Sequence, residues 1–355
     1  MKAVILVGGQ GTRLRPLTCN IPKAIVPILN KPFLVHLLYY LKSHGVNKVI
    51  LAMGYNPEPI KKCLANYTKL GIDIEYVIED VPLGTAGAVK NTEQYLDDTF
   101  IVFNGDILTD IDLSEMIDLH RQLKPKASIA LTPVDNPSIY GVVETDAGNM
   151  VQQFVEKPPP EKVTTNMINA GIYILEPDIL QRIPESEFCM FERKVFPEML
   201  LQKQPFLGYK SDAYWIDIGT PEKYLKANRD LLNRIPGRVI ILDEESNISG
   251  STKLFGPALI GKNCHISEDT QVKGATIIGP GCTIGNNIDI EGSIIWDGVH
   301  IAANSSLKNC IIGSNCIIGA ANVLEDCVIG DNVIVKAHSR IEPGSKIWPE
   351  GCTDE

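Results

Sequence analysis

The sequence predicts an α/β protein in which a Rossmann-like, mainly parallel sheet is followed by a parallel β-helix. Residues 1–7 form an apolar, β-branched run typical of a buried strand, and a glycine-rich turn follows them. Strand-like and helix-like segments then alternate to about residue 200, which is typical of a parallel sheet covered on both faces. From Ile260 onward apolar residues recur every six positions, a period that neither a helix nor a flat sheet has.

The length of the chain favours two domains, because 355 residues exceed one ordinary hydrophobic core. The character of the sequence changes near Pro236-Gly237, where we place the boundary. We expect an N-terminal domain over residues 1–235, a linker over 236–250, the β-helix over 251–350 and a tail over 351–355.

The composition is that of a globular protein, with 44% apolar and 21% charged residues. Because no apolar run reaches the ~18 residues of a membrane span and no cleavable leader is visible, we expect a cytoplasmic protein without a membrane partner. A formal net charge of −10 without a long basic tract disfavours a nucleic-acid partner. The nine cysteines show no CxxC pair and no Cys/His metal spacing, which indicates reduced thiols.

Residues 8–32 read GGQGTRLRPLTCNIPKAIVPILNKP and combine glycines with fixed cations. A tight βα turn would explain the glycines alone. Bare backbone amides beside cations, however, form a cradle for a polyphosphate, and the groups concerned are Gly8, Gly9, Gly11, Arg13, Arg15 and Lys23. Leu14 stands where the dinucleotide pattern GxGxxG needs its third glycine, and the Walker pattern GxxxxGK[ST] is absent.

The segments that follow are regular. Apolar residues at helical spacing predict a helix over 32–45, and the run 48–53 predicts a second strand. A second helix is expected over 59–67 and an alternating strand over 72–78. Since sheets of this type bind ligands at the carboxyl ends of their strands, we expect the functional residues there.

A second glycine-rich point, PLGTAGA at residues 82–88, has two interpretations. It is a turn that opens a helix, and its thin backbone would also let a nucleobase lie flat against the chain.

Two aspartates end apolar strands. Asp106 closes FIVFNGD at 100–106, and Asp217 closes WID at 215–217. A carboxylate at the end of an apolar strand is a good ligand for a hard cation such as Mg²⁺. The alternative for Asp106 is a helix N-cap, but Asp110 or Asp112 could take that role.

The repeats of the tail predict a triangular coil with three hexads per turn. Cys264, Cys282 and Cys316 share a small-residue position of the repeat, so we expect buried, non-catalytic thiols. His265, His300 and His338 do not all share one repeat position, which disfavours an acyltransferase base but leaves that activity open.

The opening stretch resembles the signature of the sugar-1-phosphate nucleotidyltransferase family, G-G-x-G-T-R-L-x-P-L-T followed by P-K and N-K-P. It departs from that pattern at Ala24, where a proline commonly follows the lysine. The segments YGVVE, FVEKP and NAGIYIL look like the sugar-binding blocks of the family and occur in the same order. The resemblance covers residues 1 to about 232. The tail is similar to the left-handed hexapeptide β-helix of acyltransferases and several nucleotidyltransferases.

This resemblance implies a role for each matching residue. Arg13, Lys23 and Lys157 would be catalytic, and Asp106 and Asp217 would share one Mg²⁺. The nucleotide would contact Leu6, Gly8, Gly9, Gly11, Thr12, Gly84 and Thr85, and the sugar phosphate would contact Gly141, Glu156 and Asn169. The expected fold is the nucleotide-diphospho-sugar transferase type with a left-handed β-helix.

The implied reaction joins a nucleoside triphosphate and a sugar 1-phosphate into a nucleotide-sugar and pyrophosphate. Residues 82–88 and the YGVVE block favour guanylyl transfer to mannose 1-phosphate, while thymidylyl or uridylyl transfer to glucose 1-phosphate remains an alternative. A regulatory subunit that binds nucleotide-sugar without turnover is an alternative of another class. The β-helix is expected to make a homo-oligomer and to leave the chemistry to the N-terminal domain.

Overall fold

The computed structural model describes residues 1–54, 56–237, 239–241 and 245–350. Two compact units emerge from its internal contacts. The first unit comprises Met1–Gly9 and Leu34–Asp217, and the second unit comprises Gln10–Phe33 and Ile218–Glu355. We call Gln10–Phe33 the opening loop. The opening loop belongs to the same unit as the C-terminal repeats, whereas the sequence predicted a single boundary near residue 235.

The first unit contains a nine-stranded sheet. Lys2–Leu6 pairs in parallel with Lys48–Met53 on one side and with Phe100–Asn104 on the other, as predicted for a Rossmann-like sheet. Met167–Leu175 joins the second half by antiparallel pairing. The other strands are Asp73–Ile78, Ala127–Pro133, Gly141–Thr145, Val151–Glu156 and Phe206–Lys210, and a separate ladder joins Ile107–Thr109 to Trp215–Asp217.

Helices alternate with the strands, and those over 33–43 and 58–65 lie close to the predicted ranges 32–45 and 59–67. The α-helices of the described chain are Phe33–Ser43, Glu58–Ala65, Gly84–Lys90, Leu113–Leu123, Phe196–Leu201 and Pro221–Arg234. A π-helical turn spans Phe191–Val195, and 3₁₀ turns span Thr12–Leu14, Lys23–Ile25, Thr68–Leu70, Glu93–Tyr95, Pro137–Ile139, Pro160–Lys162 and Pro177–Arg182. The Asp112 side chain caps the helix Leu113–Leu123 by accepting from Glu115 N at 3.0 Å.

The second unit contains the predicted β-helix, built from three parallel sheets. The apolar repeat fills its core, since Ile260, Ile278, Ile295, Ile312 and Ile329 stack in register and are fully buried. The first sheet has strands Val239–Ile241, Ala258–Ile260, Thr276–Ile278, Ile294–Ile295, Ile311–Ile312, Val328–Ile329 and Lys346–Ile347. The second has Asn247–Ile248, His265–Ile266, Thr283–Ile284, His300–Ile301, Ile317–Ile318 and Ile334–Val335. The third has Lys253–Phe255, Gln271–Lys273, Asp289–Glu291, Ser306–Lys308 and Val323–Glu325. A further antiparallel pair, Pro27–Ile28 with Lys31–Pro32, lies in the opening loop.

The β-helix begins earlier than the sequence predicted. Val239–Ile241 pairs with Ala258–Ile260, so strands occupy part of the stretch 236–250 that was expected to be a linker. Ile248 and Leu254 continue the six-residue spacing back from Ile260 and pack against the same core, so the repeat extends further toward the N-terminus than predicted. The predicted tail, 351–355, lies outside the described residues.

Among the cysteines that the structure describes, Cys19 departs from the prediction. Cys264, Cys282 and Cys316 keep thiol side chains and are buried in the β-helix core, as expected for small packing residues. Cys19 is disulfide-bonded, so the expectation of reduced thiols is wrong for this residue. Disulfide pairing depends on proximity in the fold, which the spacing of cysteines in one sequence does not reveal.

Among the described residues, no helix is both long enough and apolar enough to cross a membrane.

Candidate functional site

The predicted site residues divide between the two units. The first unit contains Leu6, Gly8, Gly9, Gly84, Thr85, Asp106, Gly141, Glu156, Lys157, Asn169 and Asp217. The second unit contains Gly11, Thr12, Arg13 and Lys23, all in the opening loop.

In the first unit the neighbouring strands Lys2–Leu6 and Phe100–Asn104 end together. Gly105 N donates to Leu6 O at 3.0 Å, and a Cβ at position 105 would lie 2.5 Å from that oxygen. Only glycine allows this approach, which fixes the turn immediately before Asp106. Gly8 is similarly close to Gly54, since a Cβ on Gly8 would lie 3.2 Å from Gly54 N. The ends of these strands are therefore rigidly defined.

The two strand-end aspartates lie at the same end of the short antiparallel ladder. Asp217 lies opposite Ile107, the residue that follows Asp106. Asp217 is only 8% exposed, and its Oδ1 accepts a hydrogen bond from the Tyr140 hydroxyl at 2.7 Å. The ladder thus places the backbone of Asp217 beside the residue that follows Asp106.

This carboxylate pair fits a cation that also binds substrate. No group of three or more His, Cys, Asp or Glu side chains that could hold a metal occurs in the described part of the chain. Mg²⁺ commonly takes only one or two protein carboxylates and completes its shell with water and phosphate oxygens. Two carboxylates, one of them buried, suit that mode of binding better than a closed protein cage.

The Glu156-Lys157 pair lies at the end of the strand Val151–Glu156. Lys157 has a left-handed backbone (φ 49°), and its amide donates to Tyr140 O at 3.0 Å. Its side chain is 60% exposed, that of Glu156 is 17% exposed, and Lys157 Nζ lies 3.8 Å from Glu156 Oε1. Left-handed lysine is uncommon, and such strain is concentrated at functional sites. The backbone therefore directs a flexible cation outward beside a sheltered carboxylate.

Glu156 has an unusual electrostatic environment. Burial and the nearby Glu192 raise the pKa of its carboxyl, while Lys157 and Arg193 lower it and offset part of that rise. Gly141 makes room for this side chain, because a Cβ at 141 would lie 2.9 Å from Glu156 Oε2 and 2.7 Å from Phe154 Cζ. Gly141 is thus required by packing at the place where the sequence predicted a sugar contact.

Asn169 is held by its neighbours. Its Nδ2 donates to the Tyr173 hydroxyl at 2.8 Å, and its Oδ1 accepts from Gly171 N at 2.8 Å. The side chain is therefore oriented before any ligand arrives. Because an asparagine amide has two N–H groups and two lone pairs on Oδ1, these two bonds use only one of each.

The glycine-rich point 82–88 opens the helix Gly84–Lys90, so its structural interpretation is confirmed. Gly84 has φ 73°, and a Cβ there would lie 2.6 Å from Cys189 O. Thr85 Oγ1 donates to Glu192 Oε2 at 2.8 Å and accepts from Phe191 N at 3.0 Å. This turn is therefore packed tightly against the π-helical segment.

Glu192 is a residue that sequence reasoning missed. It lies in the π-helical turn, is 7% exposed, and accepts from Thr85 and from the Tyr173 hydroxyl, the latter at 3.2 Å. A continuous chain of hydrogen bonds thus runs from Thr85 through Glu192 and Tyr173 to Asn169. The sequence around it, FERKV, reads as an exposed charged segment, and π-helical turns at functional sites leave no such spacing signal.

The opening loop has its own compact core in the second unit. Gly11 is left-handed (φ 66°), and a Cβ there would lie 3.0 Å from Lys23 Cβ. The Thr18 hydroxyl donates to Gly11 O at 2.8 Å, while Leu14 and Leu17 are fully buried. Arg13 is exposed in the turn Thr12–Leu14, and Lys23 begins the turn Lys23–Ile25. Both predicted cations therefore start from short, well-anchored turns.

The departure from the family pattern at Ala24 is accommodated by packing. Ala24 is almost fully buried in the turn that Lys23 begins. A proline fixes φ near −65° at the start of such a turn, whereas here the surrounding loop core holds the backbone.

Comparisons with known proteins match both parts of the chain. The nucleotidyl transferase family model matches residues 2–234, and the model of the EIF2B subunit epsilon LbH domain matches residues 238–346. The chain is 36% identical over 311 residues to mannose-1-phosphate guanylyltransferase of Mycobacterium tuberculosis, which covers 85% of this chain and 81% of that protein. It is 36% identical over 266 residues to mannose-1-phosphate guanyltransferase of Saccharomyces cerevisiae, covering 73% of this chain and 71% of that protein.

A solved structure shows the same fold. HddC from Yersinia pseudotuberculosis, complexed with GMP-PN, is similar to 65% of this chain and 99% of that chain, with a TM-score of 0.57 and 35% sequence identity. The predicted fold class is thus confirmed, including the left-handed β-helix that follows the sheet. Since the family model spans most of the sequence and relatives align over both units, the chain belongs to the nucleotidyl transferase family.

Proposed function

We propose that this enzyme transfers the guanylyl group of GTP to mannose 1-phosphate and forms GDP-mannose and pyrophosphate. Relatives that align over most of the chain are named for this reaction. One structural observation carries the proposal. Asp217, a carboxylate suited to a metal on the phosphates, is hydrogen-bonded to Tyr140, whose carbonyl accepts from Lys157 N beside Glu156. The carboxylate assigned to the metal and the residues assigned to the sugar phosphate are therefore connected through Tyr140.

The chemistry needs positioning and charge stabilisation more than proton transfer. The phosphate oxygen of mannose 1-phosphate is already anionic at neutral pH, so it can attack the α-phosphorus without a general base. Lys157 binds this phosphate, and Glu156, Asn169 and Gly141 contact the sugar hydroxyls. In-line attack then displaces pyrophosphate from the α-phosphorus.

The nucleotide is bound by glycine-rich backbone and by the cations of the opening loop. Arg13 binds the departing pyrophosphate, and Lys23 binds the bridging phosphates. The phosphates and ribose contact Leu6, Gly8, Gly9, Gly11 and Thr12, and the base lies against Gly84 and Thr85. Support for guanine comes from the GMP-PN complex of HddC, a relative of similar fold.

Enzymes of this family generally use a divalent metal. We assign Mg²⁺ to Asp106 and Asp217, where it would stabilise the charge that develops around the α-phosphate. Asp217 is buried and oriented by Tyr140, so the protein presents this ligand in a fixed direction.

The β-helix would also serve as an assembly surface. The end coils of a β-helix offer strand edges to a partner, and such ends commonly become subunit contacts. We propose a homo-oligomer formed through these coils, in the cytoplasm, without a nucleic-acid or membrane partner.

The direct test is pyrophosphate release measured across four nucleoside triphosphates and several sugar 1-phosphates. GTP with mannose 1-phosphate should give the highest kcat/KM. A site that hydrogen-bonds the guanine edge can reject a pyrimidine by up to ~10⁴-fold. The orientation of one sugar hydroxyl is worth only ~0.5–1.5 kcal/mol, so glucose 1-phosphate should be a weaker substrate and not an inert one. A higher kcat/KM with dTTP or UTP and glucose 1-phosphate would contradict the assignment, and no release with any pair would favour a non-catalytic subunit.

A further inference from the structure

The opening loop carries the cations assigned to GTP, and its surroundings within the second unit are the coils of the β-helix. One link is between Asn20 and Asp331. Asp331 is only 6% exposed and accepts hydrogen bonds from the Asn20 side chain and, at 2.8 Å, from Ser314 N. Burial raises the pKa of Asp331, and these two hydrogen bonds lower it. Next to it, a Cβ on Gly330 would lie 3.2 Å from Pro16 Cβ, so the coil and the loop are in close contact.

A second link lies at the other end of the loop. Asn30 Nδ2 donates to the carbonyl oxygen of Ile278 at 2.9 Å. Ile278 is a fully buried core residue of the β-helix, so its carbonyl is fixed by the stacked strands. Asn30 has φ 59°, a left-handed conformation that asparagine tolerates better than most residues. The end of the loop is therefore tied to a rigid coil.

A third link runs through the helix Pro221–Arg234. Trp296 of the β-helix donates from Nε1 to the Tyr224 hydroxyl at 2.9 Å, and that hydroxyl donates to the carbonyl of Pro27. Asn228, one turn along the same helix, accepts from Leu29 N at 3.0 Å. Tyr224 and Trp296 are both buried, so this relay is sheltered from solvent.

These links flank the assigned cations. Pro16 lies three residues after Arg13 in the same loop, and Lys23 lies between Asn20 and Pro27. We propose that the β-helix positions the opening loop for the triphosphate. Asp331 is the positioning residue, because its hydrogen bond to Asn20 fixes the loop that carries Arg13 and Lys23. This inference rests on the assignment of those cations to GTP. It gives the C-terminal repeats a part in substrate binding in addition to assembly.

An exchange of the two partners tests the link. Asn20→Asp sets a second carboxylate against buried Asp331, and we expect GTP affinity to fall roughly ten-fold because a hydrogen bond to a charged group is lost. Asp331→Asn keeps an oxygen for Ser314 N and should stay within about three-fold of wild type. The double variant Asn20→Asp with Asp331→Asn restores a carboxylate–amide pair with the roles exchanged and should recover most of the affinity. Affinity is measured by calorimetry with GTP and Mg²⁺ on the full chain, with and without reductant, because Cys19 next to Asn20 is disulfide-bonded.

Two further variants separate positioning from general stability. Glu325→Gln weakens the 2.8 Å salt bridge with Lys308 between neighbouring coils and should leave GTP affinity unchanged. Asn30→Gly removes the bond to Ile278 without backbone strain or new charge and should raise the KM for GTP about three-fold, with the KM for mannose 1-phosphate unchanged. Thermal unfolding of each variant is measured to check that it is folded.

The proposal is overturned if folded Asn20→Asp binds GTP like wild type, if the double variant binds no better than Asn20→Asp, or if Glu325→Gln loses as much affinity. Wild type that binds GTP but releases no pyrophosphate with mannose 1-phosphate would instead overturn the proposed reaction. The affinity measurement would still decide the positioning role in that case.

Discussion

The residues assigned to the metal and the sugar phosphate are held in a different way from the cations assigned to the triphosphate. Asp106, Asp217 and Glu156 stand at the ends of strands, where backbone ladders and close glycine contacts fix them. Arg13 and Lys23 stand on a loop whose position depends on side-chain hydrogen bonds to the β-helix. Strand ends are supported by many cooperative backbone bonds, whereas the loop is supported by a few individual links. We therefore expect changes in the β-helix to affect the triphosphate more than the sugar phosphate.

The largest effect should come from the strand-end carboxylates. Asp106→Asn and Asp217→Asn each remove a charge that would hold the metal, and each should lower kcat by ~10²-fold or more. The measurement is pyrophosphate release as a function of Mg²⁺ concentration.

Asp112→Asn is the matched control for this prediction. Asp112 caps a helix in the same region, and asparagine caps equally well, so this variant should keep wild-type activity. Full activity of wild type in a chelator, or of both strand-end variants, would contradict the metal site.

Lys157→Ala should have the next largest effect, and it should fall on one substrate. The lost charge-assisted bond to the sugar phosphate is worth ~1.5–3 kcal/mol, which is roughly a 10- to 100-fold change. The KM for mannose 1-phosphate should rise much more than the KM for GTP in steady-state kinetics. The exposed Lys162, five residues along the chain, provides the control Lys162→Ala. Equal weakening of both substrates would show that Lys157 does not contact the sugar phosphate.

Glu192→Gln should have a smaller effect on both substrates. Glutamine has one acceptor oxygen where glutamate has two, so either Thr85 or Tyr173 would lose its acceptor. The loss of one such bond is worth about 1 kcal/mol, and kcat/KM should fall roughly five-fold for GTP and for mannose 1-phosphate alike. The control is Glu187→Gln. Glu187 is exposed and lies five residues before Glu192, and its substitution should leave kcat/KM unchanged for both substrates. If only one substrate is affected, the chain from Thr85 to Asn169 does not couple their sites.

Sequence reasoning succeeded where local pattern and structure coincide. Asp106 follows a buried strand, and the six-residue repeat from Ile260 places each aliphatic side chain in the core of a coil. Sequence reasoning failed where a charged side chain is buried by residues that are distant along the chain. Glu192 and Asp331 look like ordinary surface acids in the sequence, and their partners Thr85 and Asn20 lie far away along the chain. The attachment of the opening loop to the repeats was missed for the same reason.

The transfer of the guanylyl group tests the central assignment most directly. GTP labelled with ³²P at the α-phosphate should be incubated with the full chain, Mg²⁺ and mannose 1-phosphate, and the products separated by chromatography. The account predicts label in GDP-mannose, unlabelled pyrophosphate in equal amount, and little product with Asp106→Asn. Label that stays in GTP, or that appears in GMP or GDP without GDP-mannose, would contradict it.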